Sequence, residues 1–93
     1  SAILCCSDFK TFGAIRAIKE KGMKIPEEIA LVGYDDLTFS SKGDLPLTTV
    51  RIPKEKIVHE GLQILSDLIL QKELPVEMLQ RVIKPDLIIR KTA

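Results

Sequence analysis

The sequence predicts an α/β fold built on a parallel sheet, and three observations predict it. "AILCC" (residues 2–6) and "IALVGY" (residues 29–34) are short, continuous apolar runs of the kind found in strands covered on both faces. Between them, Phe12, Ile15 and Ile18 recur at helical spacing. Strand, helix and strand follow within about thirty residues, the span of a βαβ unit with a right-handed crossover.

Each element has a local reason. Ser7 or Asp8 is placed to cap the first helix, while Lys19 and Lys21 complement its negative C-terminal end. Gly22 in a left-handed conformation, with Met23 folding back and Pro26 beyond, predicts its termination. "KIPEE" is the turn into the second strand, and loop chemistry runs from Asp35 to Pro46. "LTTV", β-branched and short, predicts a strand ending at Arg51. Pro53 opens a long helix whose positions Ile57, Val58, Gly61, Leu62, Ile64, Leu65, Leu68 and Ile69 form a stripe that requires a partner surface. A loop or one irregular turn should follow "QKELP", and "RVIKPDLIIR" predicts two extended pieces divided by Pro85. No internal repeat or low-complexity segment interrupts this plan.

Composition narrows the function classes. The chain has 93 residues, 14 Lys and Arg against 13 Asp and Glu, and a net charge of +1. A domain of this size buries roughly 60 to 65% of its unfolded surface, so its core is modest. Scattered basic residues are a poor footprint for nucleic acid or anionic lipid. No apolar run is long enough to cross a membrane, and no charged start with an apolar stretch behind it opens the chain. Cys5 and Cys6, adjacent on a strand, point to opposite faces and cannot share a metal; they are expected to be buried, reduced small hydrophobes, which fits a cytoplasmic setting. His59 is the single histidine and is expected to be solvated. With no nucleophile elbow, no glycine-rich phosphate loop and no histidine partner for cysteine, catalysis has no support, and no cofactor is expected.

In open α/β sheets, ligands bind outside the carboxyl ends of parallel strands. Ser7 and Asp8 follow the first strand, and Asp35 and Asp36 follow the second. A carboxylate there can accept from two neighbouring hydroxyls, which suits a sugar or another polyol. An Asp after a strand also caps helices and makes Asx turns, and Asp36 fits that structural role better than Asp35. A third arrangement, Asp8, Asp35 and Asp36 around Mg²⁺ in a phosphoacceptor domain, lacks the strand-end lysine such sites use.

The stretch "CCSDFKTFGAIRAIKEKGMKIPEEIALVGYDDLTFSSKGDLPLTTVRIPKE" and the closing "PDLIIRKT" resemble the C-terminal part of the lactose/galactose repressor family. The family pattern is Asn-Asp, a helix with Ala-Leu-Gly-Ala, Gly-x-x-Val-Pro-x-Asp-Ile, Val-Gly-Phe/Tyr-Asp-Asp and Pro-Leu-Thr-Thr-Val. The resemblance runs in register from Ser7 to Val50 and covers nearly the whole chain. It implies part of a periplasmic binding protein-like type 1 fold, a three-layer α/β sandwich. Residues 1–51 and 82–93 would then come from the second lobe and helix 53–71 from the first, with the helix-turn-helix head absent. It further implies a cytoplasmic homodimer that binds a sugar-like effector and reaches operator DNA only through that head. Asp35 would face the effector, with Asp8 beside Ser7, which stands where the family usually has an effector-contacting Asn. Val58 replaces a family glycine. Phe12, Ile15, Arg16 and Phe39 would lie at the dimer surface, although Phe12 and Phe39 also suit a core. A periplasmic sugar-binding protein shares the fold and is the competing expectation. The stripe on helix 53–71 is expected to be covered by a second copy of the chain.

Overall fold

A computed structural model describes residues 1–70 and 72–93. Its elements are β1 (Ala2–Leu4), α1 (Asp8–Glu20), β2 (Ala30–Tyr34), a 3₁₀ turn at Thr38–Ser41, β3 (Thr49–Arg51), α2 (Lys54–Ile69), a second 3₁₀ turn at Val76–Leu79, and β4 (Asp86–Ile88). The strands form one sheet in the order β1-β2-β3-β4. β1 pairs parallel to β2 with Ile3 opposite Leu31, and β2 pairs parallel to β3 with Gly33 opposite Thr49. β4 runs antiparallel to β3, with Arg51 opposite Asp86. The fold is therefore mixed α/β with a mostly parallel four-stranded sheet.

The chain divides into two units, Ser1–Ile52 with Pro85–Ala93, and Pro53–Lys84. In the first, α1 lays Ile15 and Ile18 against Leu31 of β2, and Phe12, Ala14, Met23, Ile25, Ile29 and Leu45 close around them. Ser7 caps α1 by accepting from the Lys10 amide at 3.4 Å. At the other end, Gly22 adopts φ +73°, its amide donates to Lys19 O and the Met23 amide donates to Ile18 O. This is the paired closure of a Schellman motif, as the glycine predicts.

The second unit consists of α2 and the chain up to Lys84. No residue of α2 is buried, and Ile57, Val58, Leu62, Leu65, Leu68 and Ile69 are exposed. Glu60 and Arg81 form an ion pair at 3.0 Å beside a shallow depression lined by Ile57, Gly61, Ile64, Leu79 and Ile83.

Four expectations change. α2 spans Lys54–Ile69 rather than 53–71, with Pro53 as its cap; Gln71 lies outside the described residues. Only the piece after Pro85 forms a strand, because "RVIK" has no neighbouring strand to pair with among the described residues and stays irregular. β1 is not covered on both faces: it is an edge strand with Leu4 72% exposed. Cys6 is exposed and Cys5 half-buried, because β1 ends at Leu4 and Cys6 already belongs to the turn into α1. Lys10, one turn along, donates to Cys6 Sγ at 3.2 Å, a cationic neighbour that the linear spacing did not suggest.

Candidate functional site

The carboxyl ends of β1 and β2 carry the residues singled out in the sequence. A shallow depression of about 360 Å³ opens there, lined by Leu4, Cys5, Cys6 and Tyr34. Ser7, the cap of α1, follows Cys6 in the chain and Asp35 follows Tyr34, and neither is among the lining residues.

Asp35 is half-buried, and among the described residues no donor occupies its carboxylate. Its amide donates to Val50 O at 2.9 Å, which holds the backbone on the end of β3. Asp35 has φ +112° and Asp36 φ +49°. Two consecutive non-glycine residues at positive φ are costly, on the order of 1–3 kcal/mol each where the geometry is sparsely populated, and they persist only when their surroundings over-determine them. Aspartate tolerates the left-handed region better than most side chains.

Those surroundings are polar and fully connected. Asp8, the first residue of α1, is completely buried. Its Oδ2 accepts from the Leu37 amide at 2.9 Å and the Ser40 hydroxyl at 2.5 Å, and its Oδ1 accepts from the Thr49 hydroxyl at 2.6 Å. The Thr49 hydroxyl in turn accepts from the Asp36 amide at 3.4 Å. Asp36 takes Arg51 Nε on Oδ2 at 2.6 Å and Arg90 Nη2 on Oδ1 at 2.7 Å, while Arg90 Nη1 donates to Leu47 O. Burial alone would raise the Asp36 pKa, but the hydrogen bonds and charges of Arg51 and Arg90 outweigh it and hold this carboxyl below its ordinary value. Thr48 and Thr92 continue the net, with the Thr48 amide donating to Thr92 Oγ1 and the Thr92 hydroxyl donating to Leu31 O. No buried side-chain polar atom lacks a partner among the described residues.

This geometry corrects the expectation for Asp8. A carboxylate without exposed surface whose oxygens already hold three protein donors has no free position for an effector, so Asp8 organises the site from behind. The same contacts argue against Mg²⁺: Asp8 is saturated by donors and Asp36 lies between two guanidinium groups. Ile15, expected at a dimer surface, is 8% exposed and sits in the core, because the third turn of α1 faces β2. Arg16 is exposed and paired with Glu20 at 2.8 Å.

Phe12 and Phe39 do meet, with ring centroids 5.5 Å apart. Sequence reasoning missed Phe9, which is 70% exposed and lies 5.2 Å from Phe39. All three phenylalanines of the chain thus gather in one cluster on the first two turns of α1 and the 3₁₀ turn. The spacing of three between Phe9 and Phe12 was the available signal. Thr49, Arg51 and Arg90 were also missed; polar side chains in a β-branched run gave no hint of which would be buried.

Comparison with known proteins fits this arrangement. Residues 1–93 match the family described as periplasmic binding protein-like domain. The HTH-type transcriptional repressor PurR of Haemophilus influenzae is 39% identical over 93 residues, covering 99% of this chain and 28% of the relative; that of Histophilus somni is 37% identical, covering 99% and 27%. Among solved structures, the transcriptional regulator CelR in complex with cellobiose aligns with a TM-score of 0.87 at 31% identity, covering 99% of this chain and 28% of that one. The lac repressor dimer bound to operator and the anti-inducer ONPF aligns with a TM-score of 0.78 at 31% identity, covering 98% and 31%. The chain thus spans less than a third of the length of these proteins. The relatives are helix-turn-helix repressors, and the CelR neighbour is a transcriptional regulator bound to cellobiose. The chain belongs to the periplasmic binding protein-like domain family.

Proposed function

We propose that this chain is the effector-sensing and dimerisation part of a DNA-binding repressor, and that it binds a sugar-like small molecule at the rim formed by Ser7 and Asp35. The observation that carries this reading is Asp35: a half-buried carboxylate at the end of a parallel strand, held at positive φ and left free of protein donors among the described residues. Such a group accepts two hydroxyls of a polyol. Support comes from the CelR neighbour, whose complex contains cellobiose.

In this reading, residues 1–51 and 82–93 are second-lobe portions and α2 derives from the first lobe. Operator DNA is contacted by a helix-turn-helix head elsewhere in the longer protein, in the cytoplasm. Effector acts by differential affinity for two lobe arrangements, without turnover. Phe9, Phe12, Phe39 and Arg16 contribute to the surface between two copies. The experiment is calorimetry of the full-length regulator with sugars, sugar phosphates and nucleobases, followed by Asp35→Asn. Losing a charge-assisted hydrogen bond should weaken binding by about 1.5–3 kcal/mol while folding stays intact. Unchanged affinity in the variant removes Asp35 from the site.

A further inference from the structure

Asp36 occupies a position in the chain that the ligand-binding reading does not use. It follows Asp35 directly, it is itself at positive φ, and both of its carboxylate oxygens are taken by arginines. Those arginines come from the two ends of the excursion to the second unit. Arg51 is the last residue of β3, two before Pro53, where the chain leaves the first unit; Arg90 follows β4, which begins just after the chain returns at Pro85. Arg51 also stands opposite Asp86 in the ladder, so the departing and returning segments are paired where Asp36 grips them.

We propose that Asp36 is a positioning residue that ties the Asp35 carboxylate to both backbone connections of this unit, so that the loop and the connections move together. The inference rests on the reading of Asp35 as an effector contact. Three constraints converge on Asp35 and Asp36: Val50 O on the Asp35 amide, Thr49 Oγ1 on the Asp36 amide, and the two guanidinium groups on the Asp36 side chain. The side chain of Asp36 is 9% exposed and that of Arg90 15%, so the Asp36–Arg90 pair is poorly screened; that of Arg51, 52% exposed, can give way. Ion pairs of this kind are directional. A hydroxyl drawn onto Asp35 changes the backbone torsions at Asp35, and the next residue cannot follow without stretching its bonds to Arg51 or Arg90. An effector would thereby be felt at the strand ends that lead out of the unit, and a shift of those ends would be felt at Asp35, as linkage requires.

The test uses this chain without ligand, so that its failure leaves the effector reading untouched and the absence of an effector leaves the test intact. Backbone amide exchange and the Asp35 carboxyl carbon shift are followed by NMR in Asp36→Asn, Arg51→Gln and Arg51→Lys. Amides of Asp35, Asp36 and Leu37 should exchange at least about tenfold faster in Asp36→Asn and Arg51→Gln, with Ile18 and Leu31 unchanged. The Asp35 carboxyl shift should move in Arg51→Gln, although the structure places no Arg51 atom on that carboxylate, and Arg51→Lys should restore most of both effects. If Asp36→Asn does not fold, the half-exposed Arg51 variants decide the matter. Wild-type exchange in the loop of Arg51→Gln, or an equal acceleration at every amide, overturns the proposal.

Discussion

Asp8 and Asp35 are the same side chain after consecutive parallel strands, and burial gives them opposite surroundings. Asp8 has no exposed surface and three protein donors, so Asp8→Ala strands the Leu37 amide and two hydroxyls; the loss should be on the order of 3 kcal/mol or more in urea unfolding, and a change below about 1 kcal/mol would show that the loop repacks around water. Gly33 belongs to the same device. A Cβ built there would lie 2.3 Å from Asp8 Oδ1 and 2.9 Å from Leu47 Cδ2, which is why the "VGYDD" stretch has glycine beneath its aspartates. Gly33→Ala should cost about 1–3 kcal/mol through overpacking, and an equally stable alanine variant would contradict that contact. Asp36 adds a pH dependence of known sign. Its folded pKa lies below the ordinary value, so its contribution is fully present above the unfolded carboxylate pKa of about 3.9 and is lost as pH falls through the lower folded value. Asp36→Asn should therefore be less stable than wild type at pH 7, with the difference shrinking towards pH 2 in thermal unfolding; a difference that grows on acidification contradicts the ion pairs. Residue types and strand-end positions were enough to select this cluster. Which carboxylate faced solvent was not legible, because it depends on donors 29 to 41 residues away in the chain.

At the scale of elements, periodicity and punctuation carried the helices. Phe12, Ile15 and Ile18 announced α1, and Gly22 announced its end, because both depend on neighbours within one or two turns. Gly22→Ala places a Cβ at φ +73°, so about 1–2 kcal/mol should be lost from α1, seen as reduced stability with an unchanged sheet; a neutral outcome would mean that the Schellman closure contributes nothing. The sheet was legible only in part. Two continuous apolar runs suggested parallel pairing correctly, but the direction of β4 depends on where the chain returns, and a composition of "DLII" is silent about that. The apolar character of "AILCC" also implied cover that this chain does not supply, leaving Leu4 and Ile3 on an open edge. The "LTTV" run is the instructive case. Thr48 and Thr49 are buried as deeply as Leu47, and each hydroxyl has an assigned partner, Thr48 accepting from the Arg90 amide and Thr49 donating to Asp8. β-branching selects the strand while the hydroxyls select its neighbours.

Across the whole chain, the core and the candidate site lie in one unit. Ile15, Ile18 and Leu31, the Asp8 and Asp36 networks and the three phenylalanines all belong to Ser1–Ile52 with Pro85–Ala93. The second unit contributes an amphipathic helix without a buried residue, whose six exposed apolar side chains give it little reason to resist opening within this chain. The antiparallel pairing of Arg51 with Asp86 places the two ends of that excursion side by side, as the two ends of a β-hairpin would be. Replacing residues 52–85 with a Gly- and Asn-containing loop of about four residues should therefore leave the first unit folded. Shortening the connection from about 34 residues to four also lowers the closure entropy by about 2 kcal/mol on a flexible-chain estimate, which offsets the packing that Ile52 and Pro85 supply. The expected result is a single cooperative thermal transition within a few degrees of the parent chain, with the Leu37, Thr49 and Asp36 amides still protected from exchange. A shortened chain without a cooperative transition would show that α2 and the segment behind it supply stability that no buried side chain in this structure accounts for.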